Sequence, residues 1–317
     1  MMKAAEPVVT LGEVMMVFNG PAHETLGVGA AVGATFAGAE ANLAIGLARL
    51  GHPVQYLSVV GDDLFGRAIV ERMGAEGVDV AGCRVSPAGQ TGVMFKERRE
   101  PEAPRVLYYR RGSAFAGATA QTFESVWRRA GVIFLTGITP ALSTTCHRMM
   151  LDVMRDARSC GIPVWLDPNF RAKLWDEVMF TRVVGELLPH VDTVLPNEED
   201  ARLLTGETEP RAVAARMLDR GVRRVVMKAG ERGAFVFTAK KEAHCDRFDV
   251  PRIVDPIGAG DAFDAGFLSG DLEGLSPEDC LRRGHAVAAR VCQTAGDWEG
   301  LPTRGELEAF LAGVAAR

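Results

Sequence analysis

Several signatures that would assign a function directly are missing from this chain. None of its six cysteines forms a Cys-x-x-Cys pair and none of its six histidines forms a His-x-x-x-His pair, so we expect neither a disulfide framework nor a zinc site. The chain has no G-x-x-x-x-G-K-[ST], no G-x-S-x-G, and no G-x-G-x-x-G at its first strand–helix turn. These absences argue against a P-loop nucleotidase, an α/β-hydrolase and a dinucleotide-binding fold.

Charge and hydropathy exclude further classes of protein. The formal net charge is −5, acids and bases are interspersed, and no block of like charge marks a nucleic-acid tail or a membrane-binding helix. No apolar stretch reaches the length of a membrane span, and the segment MMKAAEPVV has no apolar region of signal-peptide length. We therefore expect a cytoplasmic protein that binds neither nucleic acid nor membranes.

What the chain does have is a regular alternation of apolar strands and helical segments. Its 317 residues are 47% hydrophobic, enough for a large core. Strands are predicted near residues 7–13, 54–60, 132–135, 163–166, 193–195, 224–227 and 234–237. Helices are predicted near residues 36–51, 61–74, 122–129, 144–159, 177–188, 198–204, 211–219, 262–272, 277–294 and 304–315. This pattern predicts an α/β fold whose parallel sheet is covered on both faces.

Two regions break the alternation and predict a second, smaller sheet. Residues 15–35 are short, apolar and glycine-rich, and residues 91–96 and 105–110 are extended segments joined by a polar hairpin. We therefore expect one domain over residues 1–317, with a small β lid formed by about 15–35 and 90–111. A small sheet with an exposed apolar face favours a homo-oligomer. The alternative is that this sheet covers only its own active site.

The stretch of residues 255–267, DPIGAGDAFDAGF, predicts a tight loop that opens into a buried helix. Gly258 and Gly260 leave backbone amides open to an anion, and the helix N-terminus adds partial positive charge. Asp261 would compete with an anion there, so it is either a functional acid or the N-cap of the helix. Further polar clusters end the predicted strands at residues 12–13, 137, 167–169, 197–199 and 228–230, where ligands bind in open α/β sheets.

Several motifs together resemble the ribokinase-like (PfkB-type) sugar kinases. They are GAEAN at 38–42, GDD at 61–63 followed by Phe65-Gly66, NEED at 197–200, KAGERG at 228–233, and DPIGAGD at 255–261. The resemblance spans nearly the whole chain. It implies a three-layer α/β/α fold with a mostly parallel central sheet and a small β-sheet lid. It also implies ATP and Mg2+ as co-substrates, with a monovalent cation such as K+ as a further candidate.

The resemblance assigns roles by position in these motifs. Asp261 would be the catalytic base, and Gly258, Ala259 and Gly260 would form its anion hole. Substrate would meet Gly38 and Asn42, and the nucleotide would meet Asn197, Lys228, Gly230, Gly233 and His285. Asp200 would act on Mg2+ through water. The chain departs from the family pattern at Pro256, where Thr is frequent, and at Asp200, where the motif usually has Glu.

Within the family, the 2-keto-3-deoxygluconate kinases are the closest resemblance. The motifs are YYRRGSA at 108–114, DPNFR at 167–171 and GDWEG at 296–300. By position, Tyr108, Arg110 and Arg171 would hold the substrate and Asp297 would take a hydroxyl. Members often carry Tyr where this chain has Met94.

The chemistry of a sugar acid supports this resemblance independently. Such a substrate brings a carboxylate, and Arg binds carboxylates in a bidentate fashion. Arg110 could instead be a solvated strand edge, and Arg171 could instead form a salt bridge at a loop. A neutral-sugar kinase such as a fructokinase or ribokinase is therefore an open alternative. A non-catalytic sugar- or nucleotide-binding protein is another.

Overall fold

A computed structural model describes residues 6–21, 25–97, 105–250 and 252–315. Its strands are β1 (Val8–Leu11), β2 (Met15–Asn19), β3 (Gly33–Ala37), β4 (Val54–Leu57), β5 (Val59–Gly61), β6 (Arg84–Ser86), β7 (Val93–Glu97), β8 (Arg105–Tyr109), β9 (Val132–Thr136), β10 (Val164–Asp167), β11 (Thr193–Val194), β12 (Arg224–Lys228), β13 (Ala234–Thr238) and β14 (Glu242–Cys245). Its α-helices are α1 (Ala39–Arg49), α2 (Leu64–Ala75), α3 (Ile138–Ala141), α4 (Thr144–Ser159), α5 (Glu177–Leu187), α6 (Glu198–Thr205), α7 (Pro210–Leu218), α8 (Ala259–Leu272), α9 (Pro277–Cys292) and α10 (Arg304–Ala315).

The main sheet has eight strands in the order β14-β13-β12-β11-β10-β9-β1-β4. The pairings from β4 to β12 are parallel, and β13 and β14 add two antiparallel strands at one edge. Strands such as β1 and β9 are buried along their whole length and are apolar except for Thr10 and Thr136, as expected for a sheet covered on both faces. The predicted mostly parallel sheet is therefore confirmed.

Two hydrophobic cores lie on opposite faces of this sheet. One face packs against α4, α5, α6 and α7, and the other packs against α1, α2, α8, α9 and α10. Neighbouring strand residues divide between them, so that Ile133 of β9 enters the first core and Phe134 enters the second. This alternation follows from the two-residue period of a strand. The arrangement is the predicted three-layer α/β/α architecture.

A second sheet of four strands has the order β3-β2-β7-β8, and we call it the lid. Its central pair, β2 and β7, is parallel, whereas both outer pairs are antiparallel. Met15, Val17, Ala37 and Met94 form a small core on its inner face. The predicted small sheet is present. Residues 98–104, where a hairpin was predicted, lie outside the described residues.

The structure corrects some predicted boundaries. Residues 122–129, predicted as a helix, form two short 3-10 turns separated by Glu124 and Ser125, whose φ values of 50° and 59° are left-handed. The predicted strand 54–60 breaks at Ser58, because β5 leaves the main sheet to pair with β6. Helix α8 begins at Ala259 instead of the predicted Ala262. The short elements β6, α3 and β14 were not predicted.

Candidate active site

A cleft lies between the lid and the carboxyl ends of the main-sheet strands. The parallel topology brings those strand ends to one edge, where the lid sheet covers them. Eight residues that the sequence assigned to catalysis or substrate binding line this cleft: Gly38, Asn42, Tyr108, Arg110, Arg171, Gly258, Asp261 and Asp297. They come from the lid, α1, the loop after β10, the N-terminus of α8 and the segment before α10.

The loop of residues 255–261, which we call the anion loop, ends in the first turn of α8. Gly258 is the N-cap, with a left-handed φ of 83°. A Cβ at this position would lie 2.3 Å from the backbone carbonyl oxygen of Asp297, so only glycine fits. Asp261 is the third residue of the helix, and its carboxylate accepts hydrogen bonds from side chains. The N-cap interpretation of Asp261 is therefore wrong.

Asp261 is buried, with 8% of its surface exposed, at the inner end of the cleft. Asn42 Nδ2 donates to its Oδ2 at 2.8 Å, and Asn169 Nδ2 lies 3.5 Å from its Oδ1. Burial raises the pKa of Asp261 to about 6, against lowering contributions from Asn42 and Arg171. The carboxylate is thus mostly ionised at neutral pH and has a pKa close to that pH, which suits a general base.

Lys228 lies beneath the anion loop in a cluster of carboxylates. Its Nζ is 3.0 Å from Asp167 Oδ2 and 3.1 Å from both carboxylate oxygens of Asp264. Burial lowers the pKa of Lys228, but Asp167 and Asp264 outweigh this effect and raise the pKa above its usual value. The ammonium therefore stays charged. It would lie 3.9 Å from a Cβ built on Gly260, so its charge reaches the anion loop.

Asn197 and Asp200 form a reciprocal cap at the start of α6. Asp200 N donates to Asn197 Oδ1, and Asn197 N donates to Asp200 Oδ2. The other carboxylate oxygen of Asp200 accepts from Phe170 N at 2.9 Å, and the residue is fully buried. Both oxygens are thus held by backbone amides. The assignment of Asp200 to a water-mediated Mg2+ contact, and of Asn197 to the nucleotide, remain predictions.

The segment predicted to meet the nucleotide follows β12. Gly230 begins a 3-10 turn, and Gly233 has a φ of 77° with the carbonyl oxygen of Cys245 2.2 Å from the place of a Cβ. His285 Nε2 is 3.1 Å from that same carbonyl oxygen, and its ring packs edge-on against Phe263. Burial lowers the pKa of His285 to about 4. These contacts give His285 a packing role, and the nucleotide assignments stay predictions.

The two predicted carboxylate-binding arginines have different surroundings. The guanidinium of Arg110 pairs with the buried carboxylate of Glu13, whose other oxygen accepts from Ser113 Oγ. Arg110 also lies over the ring of Tyr108, 5.6 Å from its centroid. Among the described residues, Arg171 has no carboxylate partner; its one hydrogen bond goes to its neighbour's carbonyl oxygen. Arg171 therefore brings to the cleft a positive charge that forms no salt bridge within the described part of the chain and that lowers the pKa of Asp261.

Sequence comparison places this architecture in a known family. The model of the pfkB family carbohydrate kinases matches residues 5–304. The chain belongs to the pfkB family of carbohydrate kinases. It is therefore a phosphotransferase that acts on a sugar hydroxyl, and its three layers with a small lid are the ribokinase-like fold.

Two relatives of this pfkB-family kinase are 2-dehydro-3-deoxygluconokinases. That of Bacillus subtilis is 37% identical, over 96% of this chain and 95% of the relative. That of Thermoproteus tenax is 32% identical, over 96% of this chain and 93% of the relative. The same substrate class thus recurs in relatives from two distant organisms.

Solved structures agree with the fold. A PfkB protein from Polaromonas sp. JS666 superposes with a TM-score of 0.88 at 36% identity, covering 96% of this chain and 100% of that one. A protein from E. coli, solved in complex with ATP and Mg2+, gives a TM-score of 0.88 at 25% identity and covers 97% of this chain and 99% of that one.

Four polar residues of the pfkB-family site were not assigned a role from the sequence. Glu13 orients Arg110, Asn169 approaches Asp261, Glu40 lies buried beneath the cleft, and Lys96 reaches the anion loop from the lid. Glu13 and Asn169 lie in polar clusters at the ends of predicted strands. That position was the signal in the sequence that could have identified them as site residues. Lys96 lies two residues after Met94 and therefore on the same, inner face of β7. A charged residue at an inward position of a strand is the signal that could have identified Lys96.

Two negative findings concern the described part of the chain. It contains no group of three or more His, Cys, Asp or Glu side chains arranged to hold a metal ion. It also contains no helix long and apolar enough to cross a membrane. The expected cytoplasmic location remains a prediction.

Proposed function

We propose that this kinase phosphorylates the primary hydroxyl of 2-dehydro-3-deoxygluconate (2-keto-3-deoxygluconate), with ATP as the phosphoryl donor. The observation that carries the proposal is that one cleft contains a buried base, Asp261, and a guanidinium without a salt-bridge partner among the described residues, Arg171. A sugar acid supplies an anion for Arg171, and a neutral sugar does not. The two relatives named 2-dehydro-3-deoxygluconokinase support the same substrate.

In the proposed mechanism, Asp261 accepts the proton of the sugar hydroxyl as that oxygen attacks the γ-phosphate. Asn42 holds Oδ2 of Asp261 through its hydrogen bond, so we assign proton acceptance to Oδ1, which has only the longer, 3.5 Å contact with Asn169 Nδ2.

At the N-terminus of α8, the backbone amides of Gly260 and Asp261 would face the developing negative charge. The Ala259 amide, which donates to the carbonyl oxygen of Pro256 at 3.3 Å, would complete the anion hole by shifting to the phosphate. Phosphoryl transfer depends mainly on such positioning and electrostatics. The lid keeps water away from the reaction.

Mg2+ would arrive with the nucleotide and would neutralise charge on the phosphates when bound. The described residues contain no cluster that could hold the ion by itself, which fits the preference of Mg2+ for phosphate oxygens and water with one or two carboxylates. We assign the purine to the space between residues 230–233 and α9, near His285. We also propose Asn197 and Lys228 for the nucleotide side, Asp200 for a water-mediated contact to Mg2+, and K+ as a candidate monovalent cation.

On the sugar side, Arg171 and Arg110 would hold the carboxylate, and Tyr108 and Asp297 would contact other oxygens of the sugar. We also propose Gly38 for the sugar side; glycine is required at this position by packing, because a Cβ there would lie 2.4 Å from the carbonyl oxygen of Glu13. Met94 lines the cleft where many similar kinases have Tyr, and we infer that this chain makes one hydrogen bond fewer to the substrate than those kinases do.

A coupled assay of ADP release tests this function. The acceptors are 2-dehydro-3-deoxygluconate, its galactonate epimer, fructose and ribose, each at several concentrations. We expect the highest kcat/KM with the two sugar acids. A higher kcat/KM with fructose or ribose would instead establish a neutral-sugar kinase. Absence of phosphorylation with all four acceptors, in protein that binds ATP, would support a non-catalytic binding protein.

A further inference from the structure

The side chain of Lys96 extends from the lid to the opposite side of the cleft and places its positive charge there. It lies on β7, and only 1% of its surface is exposed. Its ammonium pairs with the carboxylate of Asp297 and lies 3.4 Å from Asp255 Oδ2. A buried ammonium is costly unless it is paired and hydrogen-bonded. Both partners of Lys96 lie outside the lid. The ammonium is therefore neutralised only when the lid lies in the position that buries it.

The two partners of Lys96 flank the anion loop. Asp255 is the first residue of the loop, and its Oδ1 accepts a hydrogen bond from Ile257 N at 3.0 Å. The backbone carbonyl of Asp297 packs so closely on Gly258 that a Cβ there would be 2.3 Å away. The carboxylates therefore belong to the two segments that shape the loop on either side of Gly258.

The lid holds the segment that follows Asp297 through two further contacts. Trp298 Nε1 donates to the carbonyl oxygen of Phe36 at 3.0 Å, and the two rings stack with centroids 4.9 Å apart. Thr35 Oγ1 donates to Glu299 Oε1 at 2.6 Å. Three consecutive residues, 297–299, are thus bound to the lid. The first of them also touches the N-cap of α8.

We propose that Lys96 is a positioning residue that couples the lid to the anion loop, so that the loop takes its anion-binding form when the lid covers the sugar. Without the ammonium, Asp255 and Asp297 are two buried carboxylates that repel each other beside Gly258. The amides of the loop then lose their alignment on the transferred phosphoryl group. Because the loop takes this form only when the lid is closed, ATP hydrolysis stays slow when no sugar holds the lid. This inference rests on the kinase function proposed above.

The test compares sugar-acid phosphorylation with ATP hydrolysis in the absence of sugar. Lys96→Met keeps an unbranched side chain that is one atom shorter and removes its charge. We expect phosphorylation to fall about ten- to a hundred-fold, because small misplacements of reacting groups have effects of this size. Acceptor-free hydrolysis and the KM for ATP should change little, so the ratio of the two rates falls. Lys240→Met, in the exposed turn between β13 and β14, is the matched control and should keep the wild-type ratio.

A purely structural role for Lys96 gives a different result. Loss of folded protein lowers both rates in the same proportion, and an unchanged ratio would overturn the proposal. Lys96→Ala provides a rescue test, because it opens space for a small amine between the two carboxylates. Ethylammonium should restore phosphorylation in this variant, and the bulkier tetramethylammonium should not. Equal effects of the two cations would also overturn it.

A further variant covers the case in which Lys96→Met does not fold. Lys96→Met combined with Asp255→Asn keeps the summed formal charge of the three-residue cluster unchanged, and Asn retains an oxygen for Ile257 N. We expect it to fold, because the repulsion between the two carboxylates is gone. It should still show the lowered ratio, because no charge on the lid then holds the loop; a wild-type ratio would refute the coupling. A failure of the proposed function itself is detected separately, by assaying the wild type with the sugar acids. If the sugar acids are not phosphorylated, the ratio is measured with the acceptor that the wild type does use.

Discussion

Asn42 Nδ2 donates a 2.8 Å hydrogen bond to Asp261 Oδ2, which joins α1 to the proposed base on α8. The carbonyl oxygen of the same amide, Asn42 Oδ1, is buried and has no hydrogen-bond partner among the described residues. Buried polar atoms are rarely left unpaired. Since Asn42 lines the cleft, a hydroxyl of the substrate is a suitable donor for this oxygen. One amide would then orient both the base and the sugar.

The first prediction concerns the base. Asp261→Asn should lower kcat by about two to four orders of magnitude, because a positioned general base contributes about that much. The fold and the affinity for ATP should be retained, since Asn has nearly the same shape. Steady-state kinetics with calorimetric titration of ATP measure both quantities. Asp152→Asn, on the exposed side of α4, is the control. Near-normal turnover in Asp261→Asn would remove Asp261 from the mechanism.

The second prediction concerns the carboxylate of the substrate. Arg171→Ala should raise the KM for the sugar acid about ten- to a hundred-fold, because a hydrogen bond to a charged group contributes about 1.5–3 kcal/mol. Arg171→Lys should recover only part of the loss, since an ammonium lacks the planar fork. The KM for ATP should stay near its wild-type value, as it should in the surface variant Arg211→Ala. Equal losses for fructose and the sugar acid would argue against carboxylate recognition.

The third prediction concerns stability and pH. Burial raises the pKa of Glu40 from 4.5 to about 7, while hydrogen bonds from Thr136 and Thr139 lower it. A raised carboxyl pKa contributes stability that is complete below pH 4.5 and is lost as the pH rises through 7. Glu40→Gln removes this dependence. From pH 5 to pH 8, its free energy of unfolding should therefore rise relative to wild type, by up to about 3 kcal/mol.

Chemical denaturation at the two pH values measures this difference, and other titrating groups cancel because they are common to both proteins. The hydroxyls of Thr136 and Thr139 donate to Glu40 Oε1, at 2.7 and 3.0 Å, and a Gln carbonyl oxygen can accept both bonds. A constant difference between wild type and variant would show that Glu40 titrates as it does in the unfolded chain.

The fourth prediction concerns assembly. On the outer face of the lid, Phe95 packs against Phe18 and Tyr109, and Tyr109 remains 66% exposed. Leu107, on the same strand as Tyr109, is 41% exposed. An apolar sheet face of this kind needs cover, and we expect a second copy of the chain to provide it. Light scattering at micromolar concentration should give a mass that is a multiple of 34.1 kDa. Leu107→Glu should reduce this mass to that of the monomer. A monomeric wild type would contradict the prediction.

The elements of the fold that were predicted correctly are those whose sequence pattern is local. The apolar runs of β9 and β10 and the start of α4 at Ser143-Thr144 give direct signals, and each was placed within two residues. The short elements were harder. β14 lies at an edge with alternating exposure, and the turns over residues 120–129 depend on left-handed residues that propensity does not reveal.

The site was predictable in its motifs but not in its pairings. Glycines beside an acid identify the anion loop, because few other residues permit that backbone. Which charges neutralise one another depends on the tertiary structure. The pairing of Arg110 with Glu13 joins positions 97 residues apart, and that of Lys96 with Asp297 joins positions 201 apart. A single sequence carries no direct record of such contacts.

The parallel pairing of β2 with β7 has a consequence for the growing chain. Strand β7 is synthesised more than seventy residues after β2, with α1 and α2 between them, so the lid cannot close on itself early. Its buried lysine can pair with Asp297 only after residue 297 has been made. A chain truncated after Gly296 keeps the base, the anion loop and every lid strand. It lacks the carboxylate that neutralises the lysine, and it lacks Trp298, Leu301 and Leu307 of the second core, so we expect it to be catalytically inactive.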